Sequence, residues 1–149
     1  MKVVLQRVSE ARVRVDGAVV GEIGAGLMLL CAFRESDDTK TLEWMAEKCL
    51  DLRVFNDDDG LMNRSLREAG GGVLAISQFT LYGNCRKGRR PSFVASAPAE
   101  QASQLYDEFM DKLRAAHAPV AGGIFQAKMD VELINDGPVT LILEREAGD

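Results

Sequence analysis

Ser77, Gln78 and Thr80 close an apolar run that begins at Val73, with Phe79 between them and Gly83 just beyond. Hydroxyls and an amide at this spacing can donate to a carbonyl or a developing oxyanion, and a hydroxyl can attack where a base lies beside it. A buried strand gains little from three polar groups in four positions, because each one left unpaired costs about 1–3 kcal/mol. Two readings stand on this stretch alone. One is a strand end that opens onto a site; the other is a strand leaving the core, with its hydroxyls bonded into the next turn.

A basic run follows at once. Arg86, Lys87, Arg89 and Arg90 surround Gly88 in a chain whose formal net charge is −5. Such a loop can pair with phosphates, each contact releasing a counterion; the plainer reading is an exposed charged loop. The overall charge argues against general nucleic-acid binding but leaves room for a local patch. A third element, Asn135-Asp136-Gly137-Pro138, offers rigid backbone in place of reactive groups.

Other machinery is missing. No G-x-x-x-x-G-K-[ST], G-x-G-x-x-G or G-x-S-x-G motif occurs. His117 is the sole histidine, so a Ser-His-Asp triad would have to recruit it; its position at a helix C-terminus reads as structural. Cys31, Cys49 and Cys85 are widely spaced without a C-x-x-C, and the first two fall in apolar patterns. The acidic turn Asn56–Gly60 fails the calcium-loop template, since Phe55 and Leu66 would occupy ligand positions. No metal and no cofactor is expected. The parts that remain orient and discriminate; they do not include a strong general base.

The elements that hold these residues follow from periodicity. Strands are expected at Val3–Val8, at Arg12–Val15 turning through Asp16-Gly17 into Ala18–Val20, at Leu27–Phe33, at Leu52–Phe55 and at Val73–Ile76. Arg7 is a charge near a strand end, solvated or reaching a site. Leu42, Met45, Ala46, Cys49 and Leu50 mark one amphipathic helix after the caps Ser36–Asp38. Ala102, Leu105, Tyr106, Phe109, Met110 and Leu113 mark a second, with Pro98 in its first turn. Residues 118–123 read as a linker. Two alternating strands, 127–133 and 139–144, then flank a hairpin tip at 135–138. With 149 residues, 46% of them hydrophobic, the chain is one α+β domain, 1–149, of mostly antiparallel sheets with two main helices. No run is long enough to span a membrane, and the start Met1–Arg7 turns polar too early for a signal peptide, so a cytoplasmic location is expected.

Ser77-Gln78-Phe79-Thr80-Leu81, Lys87-Gly88-Arg89-Arg90-Pro91-Ser92-Phe93 and Asn135-Asp136-Gly137-Pro138-Val139-Thr140 together resemble the D-aminoacyl-tRNA deacylase family, as do Gln6-Arg7-Val8 and Gly60-Leu61-Met62-Asn63. The similarity runs nearly end to end, in order and at compatible spacing. Two departures show: Leu61 where lysine is expected, and Gln126-Ala127-Lys128-Met129 where Gly-Ala-Met-Met is expected.

The resemblance implies a β/β/α layered homodimer with its active site at the subunit interface. The activity it implies is hydrolysis of the ester joining a D-amino acid to the terminal ribose of tRNA, and of mischarged glycyl-tRNA. It implies a Gly137–Pro138 pair with a cis peptide that enters the partner's site and rejects L side chains sterically. It also implies substrate contacts from Asn135, Met129, Phe125 and Arg7, catalytic groups among Ser77, Gln78, Phe79 and Thr80, and tRNA phosphates on Arg86, Lys87, Arg89 and Arg90. Two mechanisms remain, Thr80 or Ser77 as nucleophile, or water assisted by the ribose 2′-hydroxyl; the resemblance favours the second. A non-catalytic RNA-binding module and a general small-ester hydrolase are the competing functions.

Overall fold

Asp16 and Gly17 both take positive φ, 50° and 79°. That is the two-residue hairpin turn whose twist matches right-twisted strands. It joins β1 (Lys2–Val15) to β2 (Ala18–Ile23) in the computed structural model, which describes residues 1–149. The two strands expected at Val3–Val8 and Arg12–Val15 are thus one. Exposed Ser9 and part-exposed Glu10 break the apolar pattern without breaking the ladder.

β3 (Gly26–Ala32) pairs antiparallel with the first half of β1 and parallel with β6 (Gly72–Ser77). Flanked on both edges, it is apolar and almost wholly buried, as its unbroken run of hydrophobic residues requires. β6 in turn pairs parallel with β7 (Val120–Gly122). β7 lies inside the segment expected to be a linker; three residues ending in glycine are too few to carry a period. A cis Ala118–Pro119 bond precedes it, and the Pro119 carbonyl accepts from Val73 N at 3.0 Å.

α1 (Thr39–Asp51) starts where Asp38 accepts from the Thr41 amide, as the caps suggest. α3 (Ala99–Ala116) buries the expected stripe, with Pro98 one position ahead of the first turn. The strand expected at Leu52–Phe55 shrinks to β4 (Phe55–Asn56), because Val54 N turns back onto Leu52 O; β4 pairs with β5 (Met62–Arg64). In the turn between them the Asp57 carboxylate accepts from the amides of Asp59 and Leu61. α2 (Leu66–Ala69) is a further short helix, closed by a Ser65/Glu68 capping box and left-handed Gly70.

The largest departure is β8 (Asp130–Glu144), one strand running antiparallel along β1. It starts three residues later than the alternation suggests, after a turn in which Gln126 has φ 65°. Residues 135–138 are not a hairpin tip. The ladder runs Leu5↔Leu141 and Gln6↔Thr140, then resumes at Val8↔Asn135, so 136–139 bulge out of a continuing strand.

Side chains on the two faces of β3 and β6 enter different cores. Leu27, Leu29, Cys31, Val73 and Ala75 pack towards α1 and α3. Met28, Leu74 and Ile76 pack with Val8, Ala11, Val13 and Ile23 of β1 and β2. The result is a mixed, sheet-dominated α+β domain.

Candidate active site

The parallel register places Ser77 opposite Cys31, and the last rung is Gln78 N donating to Cys31 O at 2.7 Å. The chain then turns at Gln78 (φ −143°, ψ 78°) into a 3₁₀ turn, Phe79–Tyr82. Phe79 and Thr80, the first residues of that turn, carry amides the turn itself cannot satisfy. Ser96 Oγ donates to Phe79 O at 3.1 Å and Gly83 N to Thr80 O at 2.9 Å, so both carbonyls are engaged and the turn is held from two sides. Sequence reasoning missed Ser96; nothing in its neighbourhood marks it.

Gln78 Nε2 donates to Thr80 Oγ1. A carboxamide cannot remove a proton, so Thr80 has no base beside it. His117 cannot supply one. Its Nε2 lies 2.6 Å from Gly71 O, before the start of β6, while Ser77 stands at the other end. Six residues at about 3.3 Å each separate the two ends by roughly 20 Å. The backbone N–H of His117 caps α3 on Leu113 O, and its imidazole ties the helix end to Gly71, just before β6.

Gly122 pairs with Ala75, so the chain leaves β7 beside the second half of β6 before it reaches Phe125 and Met129. Phe125 packs 6.4 Å from Tyr106, whose hydroxyl donates to Ala75 O at 2.8 Å. Burial pushes that phenol up to about 12, so it stays a donor at neutral pH. Phe125 and Gln126 also line a cleft of about 440 Å³ with Ala99, Glu100, Ser103 and Gln104 of α3 and its start. Met129 Sδ lies against Gly123, where a Cβ would sit 2.5 Å away, and the side chain packs on the core between β1, β2 and β6.

Gly137 and Pro138 lie elsewhere on the same chain. Their bulge is closed by Asn135, whose Oδ1 accepts from Val139 N at 2.8 Å and whose Nδ2 reaches Val139 O and Thr140 Oγ1. Beneath it Arg7 is buried, 8% exposed, inside β1 and not at its end. Nε donates to Asp136 O at 2.9 Å and one terminal nitrogen to Val54 O at 2.7 Å. One fork thus ties the bulge to the segment before β4. The Gly137–Pro138 bond is cis, and both residues are exposed.

Arg7 pairs with Leu27, and Leu27 with Val73. The bulge therefore stands level with Val73, four residues from Ser77 along the sheet and three strands across. At about 3.3 Å per residue and 4.8 Å per strand that is roughly 20 Å. One chain does not bring Pro138 to Thr80.

Arg7→Ala would leave the Asp136 and Val54 carbonyls without their donor. It is expected to lower unfolding free energy by about 2–3 kcal/mol, read from the urea midpoint.

The basic residues Arg86, Lys87, Arg89 and Arg90 occupy an exposed loop closed by a two-way bridge, Asn84 N to Ser92 O (2.8 Å) and Ser92 N to Asn84 O (3.0 Å). None of the four pairs with a carboxylate, whereas Arg7, Arg12, Arg14, Arg34, Arg64 and Arg67 all do.

A family model described as D-Tyr-tRNA(Tyr) deacylase matches residues 4–144. The chain belongs to this family. Relatives named D-aminoacyl-tRNA deacylase include one from Geobacter sulfurreducens, 54% identical over 99% of this chain and 97% of its own, and one from Pelobacter propionicus, 56% identical over 97% of this chain and all of its own. A solved structure named c-Myc DNA Unwinding Element Binding Protein is also similar, at TM-score 0.93 and 41% identity, covering 99% of this chain and all of that one. By family the chain is a deacylase, and so a hydrolase. Within the deacylase fold, the departures at Leu61, Gln126 and Lys128 all fall on exposed residues outside the helices and strands.

Proposed function

We propose that the chain hydrolyses the ester of D-aminoacyl-tRNA in the cytoplasm, acting also on mischarged glycyl-tRNA, as a homodimer whose active site lies at the subunit interface. The activity is carried by one observation, the near full-length match to deacylases. The mechanism is carried by the geometry around Thr80, which offers donors and no base.

In this reading the ester carbonyl sits against the amides of Phe79 and Thr80, which stabilise the oxyanion as it forms. Gln78 and Ser77 orient the ribose or the amino group, and the tRNA's own 2′-hydroxyl assists the attacking water. Phe125 and Met129 flank the amino-acid part. The partner's Gly137–Pro138 bulge, fixed by Asn135 and Arg7, faces it as a wall. A D-substituent points away from that wall and an L-substituent into it; glycine, with no side chain, passes. Backbone suits such a wall because proline's φ is locked and the bulge is tied down at several points. The loop cations hold tRNA phosphates.

The separation of Pro138 from Thr80 by roughly 20 Å within one chain supports a cross-subunit arrangement. So does β8, an edge strand that exposes Val131, Ile134, Leu141 and Ile142, the last at 70%. Sedimentation should give twice 16.3 kDa. Ile142→Asp should give the monomer and lose deacylation with it. A fully active monomeric variant would end the cross-subunit reading.

The activity is tested by incubating pure protein with D-tyrosyl-tRNA and following the free amino acid. Release is expected; tRNA retained with its ester intact would favour the second reading. That reading, a non-catalytic nucleic-acid-binding module, is favoured by the unpaired cation loop. Hydrolysis of small esters without RNA would point instead to a general esterase.

A further inference from the structure

Phe79 and Phe93 lie edge to face, ring centres 5.1 Å apart, and remain 53% and 37% exposed. Val94 beside them is 93% exposed. Apolar side chains of this size are otherwise exposed mainly on β2, the β4–β5 turn and β8. The pair has a structural link to the cation loop. Phe93 follows directly on Ser92, which closes that loop against Asn84, and Phe93 Cε1 lies 2.9 Å from where a Cβ on Gly83 would stand. Glycine at 83 is therefore what lets the ring lie over the end of the turn that carries Thr80.

We infer that Phe93, with Phe79 behind it and the 85–91 loop beside it, forms a stacking platform for the unpaired nucleotides that precede the terminal adenosine of a tRNA acceptor end. This deepens the reading above and rests on its RNA substrate. The terminal nucleoside must bring its ester to Thr80, and the next nucleotides leave that point across the Phe93 ring. Exposed aromatic faces with free cations at their side are how sequence-tolerant single-strand sites are built: every base has a π-face, and the backbone follows the charge. Charge complementarity selects RNA over a protein partner. The loop cations have no carboxylate of their own in a chain of net charge −5.

The test uses uncharged RNA, so it reads out whether or not the ester is hydrolysed. Fluorescence anisotropy compares an acceptor-stem minihelix carrying its single-stranded 3′ end with the same duplex made blunt. Phe93→Leu, which keeps an apolar side chain over Gly83, should weaken binding of the overhang form about tenfold and leave the blunt duplex unchanged. Phe93→Tyr should restore it. Arg89→Gln should instead weaken both forms and reduce the salt slope by about one. Should Phe93→Leu melt early, the comparison is repeated with Val94→Asp at the adjacent exposed position, where weaker overhang binding is expected. Wild-type overhang binding in the folded variant, or equal loss on both duplexes, overturns the platform. Loss of deacylation on charged tRNA with this pattern intact would count against the proposed reaction only.

Discussion

Replacing the 2′-hydroxyl of the terminal adenosine with hydrogen is expected to slow ester hydrolysis by about 10²–10⁴-fold, the range a positioned proton-transfer group supplies. Thr80→Ala on the unmodified substrate should leave turnover close to wild type. Both expectations follow from the same geometry. The Thr80 hydroxyl meets only the Gln78 carboxamide, and the chain's one imidazole is spent on Gly71 O at the far end of β6. With no base hydrogen-bonded to Thr80, proton transfer in this reading is assisted by the substrate's own hydroxyl. Single-turnover rates on 3′-charged tRNA with either sugar separate the two routes. A dead Thr80→Ala enzyme with a fully active 2′-deoxy substrate would make Thr80 the nucleophile.

Gly137→Ala carries the second large effect. Gly137 has φ 149°, which side-chain-bearing residues rarely adopt, and a Cβ there would lie 2.7 Å from Val139 N and 2.8 Å from Val139 Cγ2. The clash falls on the atoms Asn135 uses to close the bulge. The bulge must therefore move, and a displacement of about 1 Å at a substrate-facing wall is enough to cost roughly 10²-fold in rate. The expected result is a fall of that order on D-aminoacyl-tRNA together with a narrowed D-to-L ratio. Stability should fall less than in Arg7→Ala, because the buried guanidinium keeps its bond to Val54 O. Unchanged rates with unchanged selectivity would remove the bulge from the site.

What the sequence makes legible here is local chemistry. Asp16-Gly17 makes the hairpin turn it names, and the stripes on α1 and α3 face the core as their spacing requires. Turn residues say that a ladder breaks, however, and not that the chain reverses. Asn135–Pro138 carries every mark of a hairpin, yet β8 continues past it because β1 is long enough to pair with both arms. Arg7 is the counterpart. A lone charge in an apolar strand has no legible purpose until the carbonyls of Val54 and Asp136, 47 and 129 positions away, arrive beside it. The Ser65–Glu68 capping box with Gly70 was a readable helix signal. β7 was not, since Val120-Ala121-Gly122 is held by β6 and not by any pattern of its own.

The candidate site divides in the same way. Ser77 to Thr80 are contiguous, and their clustering is visible in the chain. The proposed meeting of that cluster with a partner's Gly137–Pro138 is not, because roughly 20 Å separates the two within one chain.

The most direct measurement is deacylation of matched D- and L-aminoacyl-tRNA, same amino acid and same tRNA, at equal enzyme concentration. A wall of partner backbone beside the ester predicts rapid loss of the D-ester while the L-ester survives. Equal rates on the two would contradict it.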